Sequence, residues 1–194
     1  MTAAYKLSEN LRDLCLERKV SIAVAESASA GNLAALIANT PGASAYFRGG
    51  VVAYSLDAKV KLLGVEPVHA ELVQCVSERV ASEMVVGAAK VFGTDLAISV
   101  TGFAGTPNPT HPGSEGREVP FAFIGLKVGD RVWVERVVAP VGCGRFVAQT
   151  HFAATALERL LKATHEASPA RFRVLHFVPD IATGGRVPVG AIVD

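Results

Sequence analysis

Near the start of this chain, a short apolar run leads through a serine-containing corner into a helical stretch. The apolar run is Ile22–Ala25, the corner is Glu26–Gly31 and the helical stretch is Leu33–Ala38. This pattern predicts a β-strand that turns directly into a helix N-terminus, where backbone N–H groups have no partner within the helix. Such donors can hold a phosphate or a developing oxyanion. The simpler interpretation is that Ser27 or Ser29 only caps the helix.

Further strand and helix signals alternate along the chain. Helical spacing of apolar residues, with capping signals, predicts helices at 4–18, 31–39, 56–63, 77–92 and 145–162. Runs of apolar and β-branched residues predict strands at 20–25, 51–54, 96–100, 119–128 and 131–138. The last two strands are joined by Gly129-Asp130, a two-residue hairpin signal. We therefore expect an α/β fold, a three-layer α/β/α sandwich around a mixed β-sheet.

The length of the chain favours one substantial domain. A chain of 194 residues, half of them hydrophobic, can bury one large core. We place this domain at residues 1–165, with a turn at Pro41-Gly42 and a long loop rich in glycine and proline at 102–118. Residues 166–194 are expected to form a C-terminal tail with two short β-like runs, 173–178 and 187–193.

Charge and composition argue against several classes of protein. The net charge is +1, from 19 basic and 18 acidic residues mixed along the chain, which indicates neither a nucleic-acid surface nor a membrane partner. The N-terminal region is charged and no apolar run could span a bilayer, so we expect a cytoplasmic protein. The three cysteines are far apart and the five histidines lack metal-ligand spacing. We therefore expect neither a metal nor another cofactor.

Three segments are expected to meet at one edge of the sheet. Ligands of such folds bind outside the carboxyl ends of the strands. The segments that follow the predicted strands are Glu26–Gly31, Tyr54–Lys59 and Thr101–Gly113. If their strands are parallel, the three segments converge on one rim, and Ser27 then lies near Tyr54 and Lys59.

A serine nucleophile needs a base, because its hydroxyl is weak at neutral pH. His111, in a proline-rich stretch, is the one histidine in these three segments. Lys59 could act as the base if burial lowers its pKa, and Tyr54 could hydrogen-bond the lysine or relay its proton. The pattern alone favours the simpler interpretation, in which Lys59 is an exposed helix lysine. Lys61 points away from Lys59 on the helix and is expected to be solvated.

A series of short motifs resembles the C-terminal domain of the CinA (competence/damage-inducible) family. The resemblance spans roughly residues 5–163 and is densest in 25–65. The motifs are Ala25-Glu26-Ser27 with Gly31, Pro41-Gly42-Ala43-Ser44, Arg48-Gly49-Gly50, Val51–Ser55, Ala58-Lys59, Leu63-Gly64-Val65, Val76-Ser77-Glu78 and Val100–Gly105. Stand-alone members of this family are nicotinamide-nucleotide amidases. The resemblance therefore implies hydrolysis of the carboxamide of nicotinamide mononucleotide to nicotinate mononucleotide and ammonia.

The resemblance also implies roles for individual residues. Ser27 matches the nucleophile of the family and Lys59 its general base, with Tyr54 alongside. We expect the nucleotide substrate, including its phosphate, to be bound by Ser29, Ala30, Gly31, Arg48, Thr101, Gly102, Gly105 and Arg145. Arg48 is assigned either to structure or to the substrate phosphate. A homodimer without a metal requirement is implied as well.

The chain departs from the family pattern around the substrate. The family has Cys-Thr-Gly-Gly after Glu-Ser, whereas this chain has Ala28-Ser29-Ala30-Gly31. Its glycine-rich loop carries prolines here, at 107 and 109, and its Lys-Pro-Val-Gly reads Glu118-Val119-Pro120-Phe121. Its Gly-Asp-Arg reads Cys143-Gly144-Arg145. The alternative to an amidase is therefore a catalytically silent module that binds a nucleotide or joins an assembly.

Overall fold

A computed structural model describes residues 3–105 and 119–166. The helices are α1 (Ala3–Arg18), α2 (Asn32–Ala38), α3 (Leu56–Leu63), α4 (Pro67–Leu72), α5 (Glu78–Phe92) and α6 (Arg145–Glu166), with a single 3₁₀ turn at Ala43–Ala45. The strands are β1 (Ile22–Glu26), β2 (Phe47–Val52), β3 (Leu96–Phe103), β4 (Phe121–Val128) and β5 (Arg131–Val138). The predicted tail and most of the predicted 102–118 loop, including His111, lie outside the described residues.

The five strands form one mixed sheet in the order β2-β1-β3-β4-β5. β1 pairs in parallel with both β2 and β3, and β4 runs antiparallel to β3 and β5. Every residue of β1 is buried, as are the first six residues of β3. The expected mixed sheet with buried central strands is thus confirmed, and the carboxyl ends of β1, β2 and β3 lie at one edge.

Alternate strand residues face opposite layers of helices. Val24 and Ile98 belong to a core shared with α1, α2 and α6. Their neighbours Ala25 and Ala97 belong to a second core, which includes buried residues of α3, α4 and α5. Because successive strand residues point to opposite faces, one sheet separates two helical layers. This confirms the three-layer sandwich.

Helix α5 packs closely against the sheet because small residues line the contact. The Ser99 hydroxyl donates a hydrogen bond of 2.6 Å to the carbonyl of Ala81 in α5. A Cβ atom at Gly125 would lie 2.4 Å from Ser99 Oγ and 2.7 Å from the Ala81 carbonyl oxygen. Alanine, serine and glycine therefore set the spacing of this layer, where larger side chains would push the helix away.

Strand β2 runs from Phe47 to Val52, whereas the sequence predicted residues 51–54. The missed part contains two glycines, which are poor strand formers. A Cβ at Gly49 would lie 2.9 Å from the Phe92 ring, and one at Gly50 would lie 2.4 Å from Val24 Cγ2. Glycine is present here because the strand lies close to its neighbours, a tertiary requirement that local propensity does not reveal.

Other boundaries differ by a few residues, and one helix was not predicted. β1 begins at 22 rather than 20, β4 begins at 121 rather than 119, and α6 continues to Glu166. β3 continues to Phe103, since it pairs with β4 as far as Phe121. The missed helix, α4, has Pro67 at its first position and Glu66 accepting hydrogen bonds from the first free N–H groups. None of the helices in the described ranges is long and apolar enough to cross a bilayer.

Candidate active site

A cavity of about 370 Å³ lies where the three parallel strands end. The described residues that line it lie at or just after the carboxyl ends of β1, β2 and β3, in the connection between α4 and α5, and at the start of α6. The lining residues are Ser27, Ala28, Tyr54, Lys59, Gln74, Cys75, Val76, Thr101, Gly102, Phe103, Ala104, Gly105 and Arg145. The convergence predicted for the three post-strand segments is therefore observed for Ser27, for Tyr54 and Lys59, and for residues 101–105 of the third segment, whose remainder lies outside the described residues.

Lys59 is buried at the base of this cavity, next to Ser27. The lysine is 1% exposed, and its Nζ lies 3.0 Å from Ser27 Oγ. The same nitrogen lies 2.7 Å from the Ala53 carbonyl oxygen and 3.3 Å from that of Tyr54. The interpretation of Lys59 as an exposed helix lysine is therefore wrong. Lys61 is 71% exposed and pairs with Asp57, which confirms that it is solvated.

Helix α3 places this lysine in its first turns. The helix begins at the cap Ser55, whose hydroxyl accepts a hydrogen bond from the Ala58 N–H. Gly64 ends the helix in a left-handed conformation, as its position after the last apolar residue predicts. Lys59 thus lies near the N-terminal end of α3, where the helix dipole disfavours a positive charge.

Burial lowers the pKa of Lys59 below its ordinary value, with a smaller opposing influence from the nearby Cys75. A neutral lysine amine has two N–H donors and one lone pair. The carbonyl oxygens of Ala53 and Tyr54 can take the two donors, which directs the lone pair towards Ser27 Oγ. Such a nitrogen can accept the serine proton, as a general base must.

Glu26 fixes the corner beside Ser27, a role that sequence reasoning missed. Its fully buried carboxylate accepts hydrogen bonds from the N–H groups of Gly31 (2.9 Å), Leu33 (3.0 Å) and Ala34 (2.8 Å). The free donors of α2 that were expected to hold a substrate anion are therefore occupied by the protein's own carboxylate. The available signal was an acidic residue just before a helix start, where negative charge is favourable.

Ser29, Ala30 and Gly31 were predicted to bind substrate, but none of them lines the cavity. Ser29 is fully buried, and its hydroxyl has no hydrogen-bond partner within the described ranges. Ala30 has a φ of 54°, in the left-handed region, and Gly31 follows at 93°. A left-handed residue other than glycine costs roughly 1–2 kcal/mol. The glycine of the family pattern at position 30 thus suits the backbone of the corner.

The two candidate arginines lie at opposite ends of the sheet. Arg48 follows Phe47, which pairs with the first residue of β1, whereas the cavity lies at the last residue of β1. Arg48 is therefore far from the cavity. Its assignment to the substrate phosphate is therefore wrong for this cavity. Arg145, the first residue of α6, reaches the cavity and donates a 2.6 Å hydrogen bond to the Tyr54 hydroxyl. Tyr54 thus contacts Lys59 through its carbonyl, and its phenol contacts Arg145 instead.

The rest of the cavity lining combines predicted and unpredicted residues. Thr101, Gly102 and Gly105 line the cavity as expected, and the Thr101 hydroxyl donates a 2.6 Å hydrogen bond to the Cys75 carbonyl. Gln74 and Cys75 were not predicted to take part. They have consecutive left-handed φ angles of 52° and 62° directly after α4, the helix that sequence analysis missed. Within residues 3–105 and 119–166, no cluster of three or more potential metal ligands is present.

Comparison with known proteins agrees with this architecture. The model of the CinA C-terminal domain matches residues 4–164. A CinA-like protein of Chlorobium limicola is 48% identical over 104 residues, which are 54% of this chain and 24% of that protein. A CinA-like protein of Synechocystis is 42% identical over 113 residues, covering 58% and 26%. The chain thus matches about a quarter of the length of these relatives.

Solved structures share the fold over most of the chain. A CinA superfamily protein from Klebsiella pneumoniae superposes with a TM-score of 0.77 at 22% identity, covering 85% of this chain and 99% of that one. The competence/damage-inducible protein CihA from Agrobacterium tumefaciens superposes with a TM-score of 0.75 at 26% identity, covering 84% and 97%. Because the family model matches residues 4–164, well over half of the sequence, this chain belongs to the CinA C-terminal domain family.

Proposed function

We propose that this protein is a serine–lysine amidohydrolase that deamidates nicotinamide mononucleotide to nicotinate mononucleotide. The observation that carries the proposal is the buried Lys59 amine 3.0 Å from the Ser27 hydroxyl in an open cavity. The family resemblance supplies the substrate. It also extends the proposal to a cytoplasmic location and to a homodimer. Light scattering of the purified chain would test for the homodimer.

The proposed reaction proceeds through an acyl-enzyme. Neutral Lys59 takes the Ser27 proton while Oγ attacks the carboxamide carbon, which forms a C–O bond. The C–N bond then breaks, and ammonia leaves with the proton returned by Lys59. In the second half, water deprotonated by Lys59 attacks the acyl carbon, the bond between that carbon and Ser27 Oγ breaks, and Lys59 returns the proton to Oγ. The products are the carboxylic acid and free Ser27, so no external reactant besides water is consumed.

The substrate phosphate is assigned to Arg145 in this proposal. Its guanidinium lies at the cavity, held by the Tyr54 hydroxyl, and a Cβ built at Gly105 would lie 3.4 Å from Nη1. An arginine so placed can form paired charge-assisted hydrogen bonds to a phosphate. Arg145 and Ser27 line the same cavity, so this proposal places the phosphate of the substrate at Arg145 and its amide at Ser27.

Ammonia release from nicotinamide mononucleotide tests the proposal directly. Wild-type protein should release ammonia, and Ser27→Ala and Lys59→Ala should each lose several orders of magnitude in rate, because the pair acts as a unit. Lys61→Ala is the matched control on the same helix and should keep full activity. Wild-type turnover in either dyad variant would show that the mechanism is wrong.

The alternative function is a binding module that has lost catalysis. It is favoured by Ala30, which occupies a left-handed position where the family pattern has glycine. In that case the wild-type protein would bind the nucleotide in a calorimeter yet release no ammonia. Binding without ammonia release at any pH between 7 and 10 would establish the module over the enzyme.

A further inference from the structure

We infer that Gln74 is a specificity-determining residue that pairs its side-chain amide with the carboxamide of the substrate. The inference rests on the proposed amidase function, because it names the residue by which that site would recognise an amide. It starts from the unusual backbone that holds Gln74 at the cavity.

Helix α4 ends in a Schellman motif in which glycine is the usual residue. The N–H of Cys75 donates to the Ala70 carbonyl (2.6 Å), and the N–H of Gln74 donates to the Glu71 carbonyl (3.1 Å). This places Gln74 at the position after the cap, where the chain turns into the left-handed region. Its φ is 52°, so glutamine is held where the backbone favours glycine.

The surrounding contacts hold this strained backbone in place as a cavity wall. The Cys75 carbonyl accepts a hydrogen bond from Thr101, which is itself buried and lines the cavity. Strained residues of this kind persist where the neighbouring structure fixes them, and they concentrate at functional sites. Gln74 therefore lies in the same cavity as Ser27 and Lys59.

The chemistry of the lining indicates what Gln74 can recognise. Among the described lining residues, it is the one that carries a carboxamide. A glutamine oxygen can accept an N–H of a primary amide while its N–H group donates to the amide carbonyl. The carboxylate of the product has no hydrogen-bond donor. In the same position, one of its oxygens would face the side-chain oxygen of Gln74, and two acceptors repel each other. Gln74 thus favours the substrate amide over the product acid.

The test compares Gln74→Gly with wild type and with Lys19→Gly. Lys19 is an exposed residue at the end of α1 with a φ of 55°. Lys19→Gly therefore places glycine in the same left-handed backbone region without changing the cavity. Gln74→Gly should remain folded, because glycine suits the left-handed region, and its thermal unfolding curve would show this. It should raise KM for nicotinamide mononucleotide roughly three- to tenfold, the effect of a neutral hydrogen bond.

The decisive measurement is the ratio of KM for the amide to the inhibition constant of nicotinate mononucleotide. This ratio should rise in Gln74→Gly and stay at the wild-type value in Lys19→Gly. An unchanged ratio in an active Gln74→Gly protein would overturn the role of Gln74 and leave the amidase proposal standing. A wild-type protein that releases no ammonia would overturn the amidase proposal, and this inference with it.

Discussion

The amine of Lys59 and the hydroxyl of Ser27 lie 3.0 Å apart although 32 residues separate them in the chain. The other hydrogen-bond partners of this amine are two backbone carbonyls, so no acid neutralises its charge at hydrogen-bonding distance in the described part of the protein. Burial without a counter-ion is the physical origin of the lowered pKa. Four predictions follow from this relationship and from the residues around it.

The rate of ammonia release should rise with pH along a single limb set by Lys59. Only the neutral amine can accept the Ser27 proton, and its pKa is lowered from 10.5 by burial. The rate should therefore begin to rise at a pH below the one that an ordinary lysine would set. Initial rates between pH 6 and 10 would measure it. A rate independent of pH across this range would contradict a lysine base.

The stability of the protein should depend on pH through the same lysine. Unfolded Lys59 binds a proton up to about pH 10.5, whereas the folded group releases it at lower pH. Between the two pKa values the unfolded state holds more protons, so stability rises with pH in this window. Lys59→Met lacks the titrating group and provides the reference. The free energy of unfolding of wild type should increase relative to Lys59→Met as pH rises towards 10.5, and chemical denaturation at a series of pH values would detect this.

Glu26→Gln should lower both stability and activity. The glutamine NH₂ group would face one of the N–H donors that the carboxylate now satisfies, which is expected to cost about 1–3 kcal/mol. Because Ser27 follows directly, kcat should fall as well. Glu66→Gln is the control, since Glu66 accepts the first N–H groups of α4 in the same way but does not line the cavity. A fall in kcat of similar size in both variants would argue against a role specific to the serine corner.

Arg145→Ala should weaken binding of the phosphorylated substrate selectively. Loss of a charge-assisted contact should raise KM for nicotinamide mononucleotide roughly ten- to a hundredfold. Nicotinamide riboside, which lacks the phosphate, should be affected much less. Arg48→Ala removes an arginine at the other end of β2 and should change neither value. Equal effects of Arg145→Ala on the two compounds would place the phosphate elsewhere.

Much of the fold could be predicted because its signals are local. α3 runs from Leu56 to Leu63 and α5 from Glu78 to Phe92, as their serine caps and terminal glycines indicate. The hairpin at Gly129-Asp130 is also where its turn residues predict it. The Ser27–Lys59 contact was predictable as well, since it needs only two parallel strands and the helix that follows one of them.

The remaining features depend on contacts that local sequence does not encode. The glycines of β2 are explained by Phe92 and Val24, which come from other elements. Arg48 was assigned to the site by its motif, but the register of β2 with β1 places it at the opposite end. Gln74 was missed because α4 was missed. The turn that ends this helix places Gln74 at the cavity, and six residues with little apolar periodicity do not predict a helix.

The bonding of Glu26 has a practical consequence for redesigning this scaffold. The turn after Ser27 is held by the carboxylate that precedes it, through donors at Gly31, Leu33 and Ala34. Ala28, by contrast, lines the cavity and contributes no side-chain hydrogen bond to the turn. Small substitutions at this position, such as serine, would therefore alter the pocket beside Ser27 while the Glu26 contacts continue to hold the turn. Larger side chains would overpack the core, because Ala28 is buried in it.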